Sequence, residues 1–139
     1  MVAEVKRTSR LSPTFDTERF IIAPLVPTKV RELFAVLLQD EQLAAQLPWM
    51  EDKSADGALS EAFLLELQCA GGTAQVWGIV ERARRMFIGA VVARDSVYGI
   101  DLEVLCASQF WNQDVAEEAG PPVAEWLENH MEVTLHALH

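Results

Sequence analysis

The sequence predicts a single layered α+β domain with a mixed, mostly antiparallel sheet flanked by helices. Half of the 139 residues are hydrophobic and 23% are charged, which is typical of one globular domain with a hydrophobic core. Segments of strand and helix periodicity follow one another as strand, two helices, three strands, helix and strand. A tight polar connection inside the group of three strands favours antiparallel pairing there.

A strand opens the domain after a short lead-in. Residues 1–15 are basic and contain a Ser-Pro turn, so they are expected to form a flexible segment, with the domain proper over residues 16–139. Residues 18–25 predict a strand, because their centre is a run of phenylalanine and two isoleucines that favours extended backbone. The proline near the end of this run is typical of an edge or an end.

Two helical segments are predicted next. Residues 29–39 carry apolar side chains at helical spacing behind Thr28, which can cap a helix, and residues 40–47 continue as a short second turn. A second main helix begins at residue 56 or 57 and stops at the glycine pair 71–72. The apolar stripe predicted for the core-facing side of this helix consists of Leu59, Phe63, Leu64 and Leu67.

Three strands are predicted to follow as a meander. Residues 74–81 and 86–94 flank a tight polar connection, Arg-Ala-Arg-Arg, and together predict a β-hairpin. Residues 98–107 predict a third antiparallel strand. Residues 110–119 fit neither helix nor strand periodicity clearly.

The last part of the chain predicts a helical crossover. Pro121 and Pro122 are best tolerated in the first turn of a helix, so a helix is predicted to start there and to run to about residue 130. Residues 131–138 alternate apolar and polar side chains, as a half-buried strand does. This strand is expected to lie parallel to the third strand of the meander.

Charge is distributed unevenly along the chain. The net charge is -10, and Arg94 is the last lysine or arginine, so almost all the excess negative charge lies in the C-terminal third. Two interpretations of this acidic region stay open: a solvated acidic face, or a surface that attracts cationic groups. Either one argues against nucleic acid and anionic membranes as partners.

Cysteine and histidine offer few candidates for reactive or metal sites. Cys69 and Cys106 are predicted to be free thiols of a cytoplasmic protein, because no signal-like or membrane-length apolar segment is present. Cys106 has no identifiable histidine partner, which favours a small buried apolar role over a nucleophile. His136 and His139 are three apart on a predicted strand and face opposite sides, so no metal site is predicted.

Short motifs spread over most of the chain carry a family resemblance. They are TERFIIAPL at 17–25, LPW at 47–49, VWGIV at 76–80, FIG at 87–89, DLEVL at 101–105, the FW pair at 110–111 and EEA at 117–119. In this order and spacing they resemble the GNAT superfamily of acetyl-CoA-dependent N-acetyltransferases. The branch they are most similar to acetylates ribosomal-protein N-termini and similar amines.

The resemblance implies a GNAT-like fold, acetyl-CoA as the cofactor and a primary amine, such as a protein N-terminus, as the acceptor. In that family the backbone of the third meander strand grips the pantetheine arm, and the next loop cradles the diphosphate at a helix start. Carried onto this chain, the implied coenzyme contacts are Val104, Leu105 and Cys106 on the strand and Trp111, Asn112, Gln113, Asp114, Val115 and Ala116 in the loop.

The chain departs from the family pattern in its loop and beyond. The family has glycine where this chain has Asn112 and Asp114, and the Asp114 carboxylate is expected to repel a diphosphate. The glycine and prolines at 120–122 are expected to move the helix start away from the loop. The last helix and strands of the family, with their tyrosine acid, are expected to be lacking, and Tyr98 does not match that acid.

Asp101 and Glu103 are the candidate catalytic residues. They lie on one face of the third meander strand, near the amine pocket that the resemblance implies, and could serve as the base or as amine-binding carboxylates. The competing interpretation is an ordinary solvated strand face.

Two functions stay open at this point. One is an acetyl-CoA-dependent N-acetyltransferase whose activity is impaired by the altered loop. The other is a non-catalytic GNAT-like module that binds or assembles, forming a homodimer through the exposed edge of residues 131–138.

Overall fold

The computed structural model describes residues 12–130, and within them five strands, four helices and one 3-10 turn. In chain order these are β1 (Phe15–Asp16), β2 (Phe20–Pro24), α1 (Pro27–Leu37), α2 (Glu41–Ala45), α3 (Ala55–Ala70), β3 (Ala74–Glu81), β4 (Met86–Ser96), β5 (Gly99–Cys106), the 3-10 turn (Ser108–Phe110) and α4 (Val115–His130).

The five strands form one sheet in chain order, and every neighbouring pair is antiparallel. The predicted hairpin is confirmed, with Glu81 opposite Met86 at its end. The third meander strand starts one residue later than predicted, because Val97 and Tyr98 form the two-residue turn that joins β4 to β5. The predicted α+β class with a mostly antiparallel sheet is therefore confirmed.

Helices cover both faces of the sheet. Successive residues of a strand point to opposite faces, so Val76 packs with the core formed by α1, α2 and α3, whereas Trp77 packs with the core under α4. The first core includes Phe34 of α1, and the second includes Val123 of α4. The result is three layers, with the sheet buried between helices.

The prediction of which face of α3 is buried is wrong. The four residues of the predicted apolar stripe are between 46% and 53% exposed to solvent: Leu59, Phe63, Leu64 and Leu67. The buried residues are the small Gly57, Ala58 and Ala62 together with Leu65. Small side chains let α3 lie close to its neighbours, so the shape of the packing, rather than the size of the apolar residues, selected the buried face.

The predicted start of the last helix is also wrong. α4 begins at Val115 and includes most of the segment that fitted neither periodicity, while Pro121 and Pro122 lie inside it. Interior prolines each remove one backbone hydrogen bond of the helix. Packing of its buried residues against the sheet compensates for this loss; these residues are Val115, Ala119, Gly120, Val123 and Leu127.

The ends of the domain add two observations. Phe15 pairs with Ile22, and the indole nitrogen of Trp77 donates to the carbonyl of Pro13 at 3.2 Å, so the predicted boundary at residue 16 falls inside a hairpin. The predicted strand at 131–138, and self-association through it, lie outside the described residues and stay predictions. No helix within residues 12–130 has the length and apolarity needed to cross a bilayer.

Gly89 lets β5 approach β4 closely, and this position gives the first prediction. A Cβ atom there would meet the carbonyl oxygen of Leu105 and lie 2.8 Å from the Cα of Cys106. We expect Gly89→Ala to lower the free energy of unfolding by about 3 kcal/mol through overpacking, measured by urea denaturation. Gly71→Ala is the control, since its Cβ would be 3.3 Å from the nearest atom and the loss should be clearly smaller. Equal losses would contradict the close approach of the strands.

Candidate functional site

A cavity of about 430 Å³ lies where the end of β5 meets α2 and the start of α4. Its lining residues are Leu43, Gln46, Leu47, Glu103, Val104, Leu105, Cys106, Phe110, Trp111, Asn112, Asp114, Val115, Ala116 and Glu117. Apart from the exposed Gln113, every residue that the resemblance implied as a coenzyme contact lines this cavity. The structure therefore brings the implied contacts together, and coenzyme binding by them stays a prediction.

The strand β5 forms one wall of the cavity. Within residues 12–130 it pairs only with β4, so its other edge has no strand partner there. Backbone groups on such an edge can bind an extended, amide-containing ligand. The carbonyl of Cys106 accepts a hydrogen bond from the indole nitrogen of Trp111 at 3.1 Å, which marks the end of this edge.

The loop that follows has the backbone conformation that glycines favour. Asn112 has φ 72° and Asp114 has φ 57°, both in the left-handed region. These are the two positions where the family has glycine. Asn and Asp are the residues besides glycine that adopt this region most readily. The residue types at these two positions are therefore compatible with the left-handed conformation of the loop.

The helix α4 presents its N-terminus to the cavity. Its first hydrogen bond runs from the amide of Glu118 to the carbonyl of Asp114, at 3.2 Å. The preceding N–H groups, on Val115, Ala116 and Glu117, have no partner within the helix, and all three residues line the cavity. The expectation that the prolines displace the helix start is therefore wrong, and the positive end of the dipole lies at the loop.

The charges on the cavity wall oppose an anionic ligand. The charged side chains that line it are the carboxylates of Glu103, Asp114 and Glu117, and none is a lysine or arginine. Two like charges about 4 Å apart repel by about 1 kcal/mol in water and about 4 kcal/mol near a protein surface. The cavity edge of β5 and the first-turn amides of α4 thus offer hydrogen-bonding groups that suit a pantetheine arm and a diphosphate, while the carboxylates disfavour the diphosphate.

Glu103 is held in place by two donors. The indole nitrogen of Trp49 lies 3.1 Å and 3.3 Å from its two carboxylate oxygens, and Nη1 of Arg94 lies 3.4 Å from Oε1. The guanidinium of Arg94 also stacks over the Trp49 ring at 4.8 Å, so the three side chains brace one another. A carboxylate has about four acceptor positions, so Glu103 keeps capacity for an amine.

Asp101 lies elsewhere. It is exposed, sits opposite Arg94 in the β4–β5 register and does not line the cavity. The structure therefore separates the two predicted catalytic carboxylates and brings only Glu103 to the cavity.

The thiol of Cys106 lines the cavity without the properties of a nucleophile. Burial, and secondarily the negative charge of Asp40, raises the pKa of this thiol. A raised pKa keeps the thiol protonated at neutral pH. Burial likewise raises the pKa of Cys69, to about 11, and both cysteines are free. In residues 12–130 there is no group of three or more potential metal ligands.

Asp40 joins two walls of the cavity, and sequence reasoning missed it. Its Oδ1 accepts from the amides of Gln42 and Leu43, capping α2, while Oδ2 accepts from the amide of Ser108 at 2.7 Å. An aspartate just before a helix is a recognisable cap signal, which could have located the first contact. The second contact joins residues 68 positions apart, and no local pattern indicates it.

Glu118 anchors α4 to the first hairpin, and this contact was also missed. Its Oε2 accepts from the hydroxyl of Thr17 at 2.6 Å and from the amide of Arg19 at 2.8 Å. Its Oε1 accepts from Nε of Arg19 at 2.6 Å. One carboxylate therefore ties the first turns of α4 to the turn between β1 and β2.

Comparison with known proteins identifies the family. Residues 19–139 match the family model described as the acetyltransferase (GNAT) domain. The chain therefore belongs to the GNAT acetyltransferase family. No curated protein matches the chain significantly.

Several solved structures share the fold. A GNAT-family acetyltransferase from Bacillus anthracis has a TM-score of 0.62 and 12% identity, over 86% of this chain and 69% of that one. The ribosomal-protein-S5-alanine acetyltransferase from Vibrio fischeri has a TM-score of 0.60 and 12% identity, over 86% and 69%. A ribosomal L7/L12 α-N-protein acetyltransferase in complex with coenzyme A has a TM-score of 0.57 and 12% identity, over 83% and 67%. At such identities the likeness shows the fold alone.

The contacts of Glu118 predict a pH-dependent stability. Burial acts to raise its pKa, but the hydrogen bonds from Thr17 and Arg19 and the Arg19 charge outweigh burial, so the pKa lies below the ordinary 4.5. A carboxyl with a lowered pKa stabilises the fold above its unfolded pKa, and this contribution disappears as the pH falls through the folded pKa.

We therefore expect Glu118→Gln to lower the free energy of unfolding at pH 7 by about 1 kcal/mol, a value discounted for the exposure of Arg19. Urea denaturation of both proteins at several pH values measures the difference. It should begin to narrow as the pH falls below the ordinary pKa of 4.5, and it should be smallest below the lower folded pKa, where Glu118 itself becomes protonated. A difference that stays constant down to acid unfolding would contradict the charge-assisted contacts.

Proposed function

We propose that this protein transfers an acetyl group from acetyl-CoA to a primary amine. The observation that carries the proposal is the left-handed loop at Asn112 and Asp114, directly followed by the N-terminus of α4 and flanked by the edge of β5. Such an arrangement suits a diphosphate at the helix start and an extended arm along the strand. Family membership supports the same chemistry.

A protein N-terminus is the acceptor that we favour. Two of the structures that share the fold are acetyltransferases of ribosomal proteins, one of them named for an α-N-protein acetyl transfer. The acidic cavity wall supports a cationic acceptor, because an amine arrives as an ammonium ion.

The residues of this chain have distinct parts in the proposed reaction. Acetyl-CoA, when bound, supplies the acetyl thioester. Backbone groups on the cavity edge of β5 hold the arm, and the first-turn amides of α4 hold the diphosphate. Glu103 accepts a hydrogen bond from the incoming amine and takes its proton, which frees the nitrogen lone pair for attack. Tyr98, the chain's one tyrosine, lies 80% exposed in the β4–β5 turn, outside the cavity lining, so no acid is assigned to it.

A non-catalytic binding module is the second candidate. The three carboxylates on the cavity wall favour it, because they weaken binding of an anionic coenzyme. The two candidates differ in one measurable property, the affinity for acetyl-CoA.

Calorimetric titration with acetyl-CoA separates them, and the Asp114 variants sharpen the test. We expect the wild type to bind detectably, and Asp114→Asn to bind at least about fivefold more tightly, since removal of one repulsion of about 1 kcal/mol has that effect. Asp114→Gly should gain as much affinity for acetyl-CoA or more, because glycine also adopts φ 57° readily at this position. Glu125→Gln, which removes an exposed charge that does not line the cavity, is the control.

Two outcomes would count against these assignments. Absence of binding at millimolar acetyl-CoA in the wild type and both variants would sink the proposed function and favour the module. Binding that is insensitive to both substitutions would mean that the Asp114 carboxylate lies away from the diphosphate.

Acetylation kinetics test the role of Glu103. With an N-terminal peptide as acceptor, we expect Glu103→Gln to lower kcat by about 100-fold or more, the usual contribution of a general base. Asp101→Asn should lower kcat far less, because the side chain of Asp101 does not line the cavity. A larger loss of kcat in Asp101→Asn than in Glu103→Gln would assign the role of general base to Asp101. Circular dichroism checks that both variants are folded.

A further inference from the structure

The loop before α4 gains from an external support. Two of its residues, Asn112 and Asp114, are non-glycine residues in the left-handed region, which asparagine and aspartate adopt more readily than other side chains but less readily than glycine. Their side chains, and that of Gln113 between them, are exposed, so packing of the loop itself contributes little. A contact from outside the loop would therefore help to hold it in this conformation.

Arg19 supplies a contact of this kind. Its Nη2 lies 3.4 Å from the carbonyl oxygen of Asp114, the last residue of the loop. The same oxygen accepts the first hydrogen bond of α4, from the amide of Glu118. Arg19 also donates through Nε to the Glu118 carboxylate at 2.6 Å, so its guanidinium bridges the loop and the helix.

The other side of this bridge is fixed to the sheet. The Glu118 carboxylate also accepts from the hydroxyl of Thr17 and the amide of Arg19. These residues lie in the turn between β1 and β2. The two strands pair with each other, and β2 also pairs with β3, so the turn is attached to the sheet. The guanidinium of Arg19 stacks over the Phe20 ring at 4.7 Å, which limits its movement. None of these residues except those of the loop lines the cavity.

We propose that Arg19 and Glu118 are positioning residues, which hold the loop at 112–114 in the conformation that presents the first-turn amides of α4 to the coenzyme. They act through the loop and do not touch the ligand. The identity of the ligand as a coenzyme rests on the proposed function. The restraint of the loop is inferred from the contacts of Arg19 and Glu118 alone.

A matched pair of variants tests this role. Arg19→Ala removes the bridge, while Arg82→Ala removes a similar ion pair, to Asp16 at 2.9 Å, on the same hairpin. The two arginine side chains are 40% and 42% exposed, and Arg82 also contacts the β1–β2 turn, through the carbonyl of Thr17. The structure shows no contact between Arg82 and the loop, which makes it a suitable control.

Two readouts are needed on the full chain. In amide hydrogen exchange without coenzyme, the Glu118 amide, which donates to the Asp114 carbonyl, should exchange about tenfold faster in Arg19→Ala, the effect of losing a charge-assisted hydrogen bond, and should be unchanged in Arg82→Ala. Calorimetry should show a loss of acetyl-CoA affinity of about tenfold for the first variant only. Arg19→Lys keeps the positive charge but lacks the planar guanidinium group, so its exchange rate and its acetyl-CoA affinity should lie between those of the wild type and Arg19→Ala. If Arg19→Ala does not fold, Arg19→Lys replaces it in both measurements.

The possible results separate the loop restraint from the proposed function. Unchanged exchange of the Glu118 amide in the Arg19 variants overturns the inference, whether or not coenzyme binds. Faster exchange with unchanged acetyl-CoA affinity also overturns it, because the restraint would then have no bearing on binding. If the wild type binds no acetyl-CoA, the proposed function fails on its own, and faster exchange confined to the Arg19 variants still supports the restraint of the loop.

Discussion

The packing of α4 across the sheet is the constraint on which the whole site depends. Pro121 and Pro122 weaken the helix backbone, so its continuity rests on side chains such as Val115 and Val123 that are buried against the strands. With those residues in place, the helix must begin directly behind the left-handed loop. The N-terminal amides then lie at the cavity wall, next to the edge of β5. A helix beginning at Pro121 would have left the loop without them.

Local patterns predicted most of the sheet, because alternation and turn composition act over a few residues. The hairpin between β3 and β4 and the position of β5 follow from such patterns. The face of α3 did not, since the close packing of Ala58 and Ala62 depends on neighbours that the sequence does not specify. The contacts of Asp40 and Arg19 span 68 and 99 residues, so only the folded chain brings them together. For the cavity, family resemblance indicated the wall residues, and periodicity alone would not have done so.

Residue identity and backbone conformation carry separate information in the loop. The absence of glycine at 112 and 114 suggested a degenerate loop, yet both residues adopt the conformation for which glycine is usually needed. Asparagine and aspartate reach that region at moderate cost, and the contact of Arg19 with the Asp114 carbonyl offers a reason why the chain can bear it. What aspartate adds at position 114, compared with glycine, is a negative charge beside the helix start.

The negative charges of the cavity act in opposite senses on the two substrates of the proposed reaction. Carboxylates beside the α4 N-terminus, Asp114 and Glu117, oppose the field of the helix dipole, which favours a diphosphate. Each carries a full charge, whereas the dipole is equivalent to about half a charge. Glu103, at the β5 side, favours an approaching ammonium group. Its own position depends on Trp49 and Arg94, and the arginine compensates part of its charge without lining the cavity. In the proposed reaction, a cavity built in this way would favour a cationic acceptor and weaken the binding of the coenzyme. The two candidate functions, enzyme and binding module, would then differ in the balance between these two effects and not in fold.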